Sequence, residues 1–260
     1  MTTARVISEA DIVPHRAAGY RLENGEVKNQ EWVSPTLNTT ADGALYFSVS
    51  DVIKWDAAVR ARAILKPESW NRILQPVTLN SGKTWPYGFG WFLDERGGHP
   101  LQQHSGSWQG FKTQLSRFIG EDVSIIVLAN LAEANPAKFV DGIAEIMSPK
   151  LAVPVPRAIV DLEPAVTSRL TRLLEDARAG TLAPVEFNAM RAGFFPGGAK
   201  GIQEQLRTLG PVKTVALVDK TEKGDDRVYT YEVAFPDRTM YYKVALAPDD
   251  KVSLFQLREK

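Results

Sequence analysis

The stretch from Tyr87 to Leu131 constrains the fold most, because it holds three runs of residues with β-strand character. The run 87–93 is rich in aromatic residues, 111–119 roughly alternates apolar with polar residues, and 123–131 is apolar. Runs of these kinds indicate strands. The small and polar residues His104-Ser105-Gly106-Ser107 lie between the first two runs. A strand ending there offers an imidazole, a hydroxyl and, at the glycine, a main chain that a ligand can approach closely.

The first half of the chain resembles the serine β-lactamase and DD-peptidase-like hydrolases, of the class C type. The motifs that carry the resemblance are YGFGW, HSGS-x-x-GF and SIIVLAN in this stretch, with IVPHRAAGY (12–20) and ADGALYFSVSDVIKW (41–55) upstream. The triplet His104-Ser105-Gly106 matches the family's third catalytic motif, Lys/His-Ser/Thr-Gly on a sheet strand. The resemblance covers about residues 1–147. It implies an antiparallel sheet flanked by helices.

The resemblance also implies a chemistry, which is acyl transfer through a serine. A serine hydroxyl needs a base to take its proton, and the oxyanion that follows needs fixed hydrogen-bond donors. By resemblance, His104 and Ser105 would bind and polarise the substrate. Gly106 would let the substrate lie against the strand, and the backbone N–H of Ser107 would be one donor to the oxyanion.

Two further motifs of the family, Ser-x-x-Lys and Tyr-x-Asn, are absent from the sequence. No Gly-x-Ser-x-Gly elbow is present to offer another nucleophile. The start, Met1 to Arg5, resembles a Gly-Met-x-x-Thr-Arg stretch that follows Tyr-x-Asn in the family. We therefore expect the chain to begin in the middle of a catalytic domain, with one wall of an active site and no attacking group. Such a polypeptide is expected to be inactive by itself.

Charge and composition exclude several other classes. Lys+Arg and Asp+Glu balance at 31 each, so nothing favours a nucleic-acid partner. The sequence has no cysteine, and His15, His99 and His104 show no metal-site spacing, so neither a metal nor an organic cofactor is expected. No apolar run is long enough for a membrane helix, and no signal-peptide pattern is visible. Localisation stays open, although members of the family are usually periplasmic or exported.

Prolines at four positions between 148 and 164 indicate a linker, because such density blocks regular helices and central strands. We predict three parts: the hydrolase-like domain at 1–147, the linker at 148–164, and an accessory α+β domain at 165–260. The accessory domain is expected to contain helices 167–179, 184–192 and 201–209, followed by strands 212–220, 227–235, 239–247 and 252–258. Its order resembles cystatin-like or NTF2-like folds in topology. The fold class of the whole chain is α+β.

The first domain is predicted to contain four local elements. Asn24-Gly25 indicates a small hairpin. A helix starting near Ser48 should run to about Leu65, and Pro67 should open a short one through Leu74. The segment 135–147 has helical periodicity. We expect it to pack across the sheet through one apolar face, made of Phe139, Ile143, Ile146 and Met147.

Two functions follow from the sequence. The first is a serine hydrolase acting on an amide, an ester or a β-lactam. Its partners would be a small or peptide-like acyl substrate and either the missing N-terminal portion in trans or a second copy. The alternative is a non-catalytic remnant that binds a partner or small ligand through its C-terminal α+β domain.

Overall fold

A computed structural model describes residues 1–6, 11–30, 43, 45–188 and 194–260. The chain divides into two compact units. The first comprises 1–77 and 86–154, and the second comprises 78–85 and 155–260. The start of the ADGALYFSVSDVIKW motif, apart from Gly43, and the end of the predicted helix 184–192 lie outside the described residues.

The elements before the large sheet of the first unit are short. They are β1 (Arg5–Val6), β2 (Tyr20–Glu23), β3 (Glu26–Asn29), β4 (Leu45–Tyr46), α1 (Val49–Arg60), α2 (Pro67–Ile73), β5 (Val77–Thr78) and β6 (Thr84–Trp85). β1 pairs with β4, and β2 with β3, both antiparallel. The predicted hairpin is confirmed: Asn24 and Gly25 have φ values of 53° and 81°, as a tight turn of this kind requires.

The large sheet of the first unit is an antiparallel meander in the order β10-β9-β8-β7. Its strands are β7 (Phe92–Arg96), β8 (His99–Trp108), β9 (Phe111–Phe118) and β10 (Val123–Ala129), and helix α3 (Pro136–Met147) follows them. One cluster of buried residues joins Phe118 to Val140 and Ala144 of α3. A second joins Leu115 to Trp70 of α2. Since residues three apart on a strand face opposite ways, helices cover both faces of the sheet.

Helix α3 forms where the sequence predicts it but packs through a different face. Its buried residues are Pro136, Val140 and Ala144, four residues apart, and Asn135 caps its first turn by accepting from the N–H of Lys138 at 3.3 Å. The four residues expected to pack against the sheet are all exposed: Phe139, Ile143, Ile146 and Met147. The prediction was wrong because the helix has a second stripe at four-residue spacing, Pro136, Val140 and Ala144, and this stripe is the buried one. The small Ala144 instead brings the helix close to the sheet.

Two other boundaries differ from the prediction. The aromatic run at 87–93 is not a strand: its first five residues form a loop, and β7 begins only at Phe92. Gly88 explains the loop, because a side chain there would come within 2.0 Å of the carbonyl oxygen of Ile73. Helix α1 ends at Arg60 instead of near 65, since Arg62 and Ile64 both have positive φ.

The second unit contains helices followed by a second antiparallel meander. Its elements are α4 (Pro164–Ala179), α5 (Ala199–Leu209), β11 (Thr214–Lys223), β12 (Asp226–Ala234), β13 (Thr239–Leu246) and β14 (Val252–Glu259). Gly180 ends α4 with a φ of 83°. The helix predicted from 184 is only a 3-10 turn, Pro184–Glu186, and Phe187 then bridges to Val252 as extended chain.

The Pro-rich segment has no long element, and its first part contributes to the core of the first unit. Leu151, in the 3-10 turn Pro149–Leu151, is fully buried against the α3 side of the large sheet. Further along, the N–H of Ile159 donates to the carbonyl of Leu217 at 2.9 Å within the second unit. Across the described residues, no helix has the length and apolar character needed to cross a lipid bilayer.

Candidate active-site strand

Strand β8 has two halves that differ in their neighbours. β7 pairs with β8 only between His99 and Gln103, where Gln103 lies opposite Phe92. On the other side β9 pairs with β8 along its whole length, to Trp108 opposite Phe111. Within the described sheet, residues 104–108 therefore have a strand on one side only. This one-sided end of β8 contains the whole His-Ser-Gly-Ser motif, and all four motif residues are exposed.

Gly106 lies close to a side chain of the neighbouring strand. It lies opposite Thr113 of β9, and a side chain at Gly106 would approach the Oγ1 of Thr113 to 2.6 Å. A Cβ atom that close would force the threonine side chain to turn. The glycine therefore lets Thr113 keep its side-chain position, in addition to leaving the main chain open.

His104 is held by three groups. Its Nε2 lies 2.9 Å from the hydroxyl of Tyr87, and its Nδ1 lies 2.7 Å from the carbonyl oxygen of Ser105. Its ring stacks on Phe92 with centroids 5.4 Å apart and an interplanar angle of 28°. Tyr87 meets both rings edge-on, at 5.9 Å from His104 and 4.8 Å from Phe92. The imidazole is therefore fixed although the residue is exposed.

Ser107 has a basic partner on the neighbouring strand. Lys112 of β9 lies directly opposite Ser107, and its Nζ donates to the Ser107 hydroxyl at 2.7 Å. No carboxylate lies within 4 Å of this Nζ among the residues that the structure describes. The end of the motif thus combines a hydroxyl with a positively charged side chain.

Polar side chains continue along the same face of the sheet into the interior. Gln114, opposite Ser105, is buried and donates to Gln103 at 2.9 Å and to Ser116 at 3.0 Å. Gln103 in turn donates to Asp94 at 2.7 Å. A buried network in which donors meet acceptors fixes side-chain positions. Its place beneath Ser105 gives the motif a rigid support.

The opposite face of the sheet is tied to α1 by a buried ion pair. Arg117 donates from Nε to Asp56 at 2.7 Å and from Nη1 to Gln102 at 2.6 Å. Asp56 also accepts from Arg60 at 2.9 Å and from the Ser124 hydroxyl at 2.9 Å. Burial lowers the pKa of Arg117, and the charge of Asp56 acts in the opposite direction.

The structure brings the four predicted residues onto one exposed strand end, and it adds two partners that sequence reasoning missed. Tyr87 escaped notice because its aromatic run was interpreted as a strand. Lys112 escaped because no motif spacing links it to Ser107; only the tight Gln109-Gly110 turn makes them neighbours. The other two histidines lie elsewhere: His99 pairs with Glu121, and His15 is exposed with a φ of 59°. No acidic and histidine cluster suited to a metal occurs in the described parts of the chain.

Comparison with known proteins places this geometry in a family. A family model described as Beta-lactamase matches residues 1–146. Penicillin-binding protein 4* of Bacillus subtilis (strain 168) is 35% identical over 111 residues, which are 42% of this chain and 24% of that protein. D-aminopeptidase of Gluconobacter oxydans (strain 621H) is 27% identical over 158 residues, 59% of this chain and 28% of that protein.

Among solved structures, an octameric penicillin-binding protein homologue from Pyrococcus abyssi aligns with 99% of this chain and 56% of its own, at 17% identity and a TM-score of 0.48. The chain matches about a quarter of the length of the two curated relatives. The family match, however, covers more than half of the chain. This protein belongs to the beta-lactamase family.

Proposed function

We propose that the first unit supplies the substrate-binding strand of a serine hydrolase that transfers the acyl group of an amide, an ester or a β-lactam. The observation that carries the proposal is the one-sided end of β8. It offers His104 to Ser107 to solvent on a strand that β7 leaves unpaired. An extended substrate can add to such an edge through main-chain hydrogen bonds. Membership of the beta-lactamase family supports this chemistry.

The polar groups of the strand end suit an acyl substrate. The hydroxyls of Ser105 and Ser107 can donate to a carbonyl or carboxylate, and the backbone N–H of Ser107 is the oxyanion donor in this proposal. Lys112, 2.7 Å from the Ser107 hydroxyl, adds positive charge where negative charge develops in the transition state. Losing a single oxyanion donor typically lowers kcat about 10²- to 10³-fold.

The nucleophile in this proposal comes from a polypeptide segment other than residues 1–260, joined in cis or bound in trans. The sequence has no Ser-x-x-Lys and no Tyr-x-Asn to provide it. Lys112 does lie beside Ser107, but its Nζ donates to the hydroxyl, whereas an activating base must accept the hydroxyl proton. Without a nucleophile the rate should fall on the order of 10⁶-fold, so residues 1–260 alone should show no useful hydrolysis.

Complementation tests this proposal. A segment carrying Ser-x-x-Lys and Tyr-x-Asn, taken from an active member of the beta-lactamase family, would be fused before Met1 or expressed with the chain. Hydrolysis would be followed with a chromogenic β-lactam, a p-nitrophenyl ester and a D-aminoacyl p-nitroanilide. We expect turnover of at least one substrate, and its loss when the added serine is changed to alanine.

Two variants of the chain sharpen the test. Ser105→Ala should lower kcat/KM of the complemented enzyme, whereas Ser253→Ala, on β14 of the second unit, should not. A soluble complemented protein that turns over none of the three substrates would contradict the proposal. So would hydrolysis by residues 1–260 alone.

For the second unit we propose an accessory role. The face of its sheet that packs on α4 and α5 is filled by large side chains, including Tyr231 and Tyr242, each 1% exposed. This packing supports a structural role for the second unit more than a binding role. The resemblance to cystatin-like and NTF2-like folds stays a proposal about topology.

A further inference from the structure

We propose that Tyr87 is a positioning residue for His104: it holds the neutral imidazole with its hydrogen on Nδ1 and its lone pair on Nε2. The relevance of this arrangement to a substrate rests on the proposed function. The arrangement itself does not, and it can be measured without any substrate.

The direction of each hydrogen bond follows from what the partners can do. A carbonyl oxygen can only accept, so the 2.7 Å contact to Ser105 requires the hydrogen on Nδ1 of His104. In a neutral imidazole the other nitrogen is then an acceptor. The 2.9 Å contact at Nε2 is therefore a donation from the hydroxyl of Tyr87. Both contacts select the same tautomer.

Ring packing fixes the orientation that these bonds need. Phe92 stacks against the imidazole, and Tyr87 meets Phe92 edge-on with ring centroids 4.8 Å apart. Tyr87 and Phe92 also form a β-bridge, so the main chain sets the distance between their rings. Gly88 and Gly90 shape the loop between them, the second with a φ of 81°. The YGFGW motif thus places the hydroxyl of Tyr87 next to Nε2 of His104.

The arrangement changes how His104 takes part in the reaction. With both ring nitrogens occupied, the neutral side chain has no free nitrogen with which to contact a substrate. The hydrogen of Tyr87 is also committed, but its oxygen keeps acceptor capacity. In the neutral state a ligand group can hydrogen-bond here only by donating to the Tyr87 oxygen, or by displacing Tyr87. The positioned imidazole instead fixes the main chain of the motif through its bond to the Ser105 carbonyl. The direct polarising role that the family resemblance implied for His104 would require Tyr87 to move.

Nitrogen NMR of the intact 260-residue protein tests the proposal. The three histidines would be labelled with ¹⁵N, and their signals assigned with His104→Gln, at an alkaline pH where imidazoles are neutral. Two-bond ¹H–¹⁵N correlations, from the hydrogens on the ring carbons to the ring nitrogens, distinguish protonated from unprotonated nitrogens. We expect Nδ1 of His104 to show the protonated type of shift and Nε2 the unprotonated, hydrogen-bonded type. A hydrogen on Nε2 of His104, or equal populations of both tautomers, would overturn the proposal. This measurement requires no variant of Tyr87.

Tyr87→Phe removes only the donor. The Nε2 signal of His104 should then move to the position of an unprotonated nitrogen without a hydrogen bond, while the signals of His15 and His99 stay in place and report correct folding. Tyr241→Phe, in the second unit, is the matched control and should shift none of the three. An unchanged Nε2 signal in Tyr87→Phe would contradict the proposal. If that variant does not fold, the tautomer of the unmodified protein still decides.

Kinetics of the complemented hydrolase give a second readout. Loss of one positioning hydrogen bond should lower kcat of Tyr87→Phe about 5- to 10-fold with KM nearly unchanged. A rise in KM at constant kcat would mean that Tyr87 only helps to bind the substrate, against the positioning role. If the NMR result holds but no complemented protein is active, the proposed function fails and the tautomer assignment stands.

Discussion

The chain contains two four-stranded antiparallel meanders that use their strands differently. In the second unit, β12 pairs along nearly its whole length with β11 on one side and β13 on the other. In the first unit, β8 has a neighbour on both sides for only half its length. Strand β12 therefore has a neighbour on both sides along nearly its whole length, whereas the second half of β8 has backbone groups that face no strand on one side. Strand registers, and not composition, reveal such an unpaired strand end.

The interiors of the two units differ in the same sense. The largest buried cluster of the second unit is made of aliphatic and aromatic side chains, with Tyr229, Tyr231 and Tyr242 on two adjacent strands. All buried aspartate, arginine, glutamine and serine side chains among the described residues belong to the first unit: Asp51, Asp56, Gln114, Ser116 and Arg117. Because unpaired buried charges are costly, the first unit should be more sensitive to polar substitutions, and the second more sensitive to conditions that ionise tyrosine.

The largest expected effect on stability comes from removing a buried carboxylate of the first unit. Asp56→Ala leaves Arg117 buried without its carboxylate, and should lower the free energy of unfolding of the first unit by roughly 3 to 5 kcal/mol. Four of the five tryptophans in the described residues, at positions 55, 70, 91 and 108, fall within that unit. Tryptophan fluorescence in urea should therefore follow its transition. Glu145→Ala, at an exposed position of α3 in the same unit, is the control and should change stability by less than about 0.5 kcal/mol. Equal losses of unfolding free energy in the two variants would contradict the expected importance of the buried ion pair.

An intermediate effect concerns alkaline pH and the second unit. Burial raises the pKa of Tyr231 to about 12, above its ordinary value of 10.0. A group with a raised folded pKa contributes its full stability below the unfolded pKa and loses it as pH rises toward the folded value. Between pH 10 and 12 the tyrosine should thus lower the stability of the second unit by about 2 kcal/mol.

Tyr231→Phe tests this pH dependence. The variant should be about 1 kcal/mol less stable at pH 7, because it loses the 2.9 Å bond to Thr167, but it should lose less stability than the unmodified protein above pH 10. Urea unfolding followed by circular dichroism at pH 7, 10 and 11 measures both. Parallel stability curves for the two proteins would show that Tyr231 does not supply the difference.

The smallest expected effect on stability concerns the N-terminal cap of α1 in the first unit. Ser48 caps α1 by accepting the N–H of Asp51 at 3.2 Å, so Ser48→Ala should cost about 1 kcal/mol. The same fluorescence transition in urea measures it. Ser50→Ala, two residues on and inside the helix, lacks a capping role and is the matched comparison. A cost at Ser50 as large as that at Ser48 would contradict the capping account.

Sequence periodicity predicted most strands of both meanders, because alternation and turn residues are local signals. It missed the loop at Tyr87 to Trp91, where Gly88 meets the carbonyl of Ile73, the last residue of α2. It also chose the wrong face of α3. In both cases the deciding contact joins residues far apart in sequence, and only the packed structure supplies it.

The candidate site shows the same limit. His104 to Ser107 were found from a motif, and the structure shows them together on one strand end. Their hydrogen-bond partners were not found, since Tyr87 and Lys112 meet the motif through a loop contact and a cross-strand pair. A motif gives candidate residues, whereas the groups that orient them come from register and loop geometry.

The half-paired β8 also bears on strand addition between molecules. A strand lacking one neighbour is a template on which a second molecule can build its own strand. Here that stretch contains a glycine, a residue poorly suited to strands, and Lys112 places a charge beside its end. The unpaired end of β8 is thus composed of residues that favour the addition of a foreign strand less than β-branched residues would.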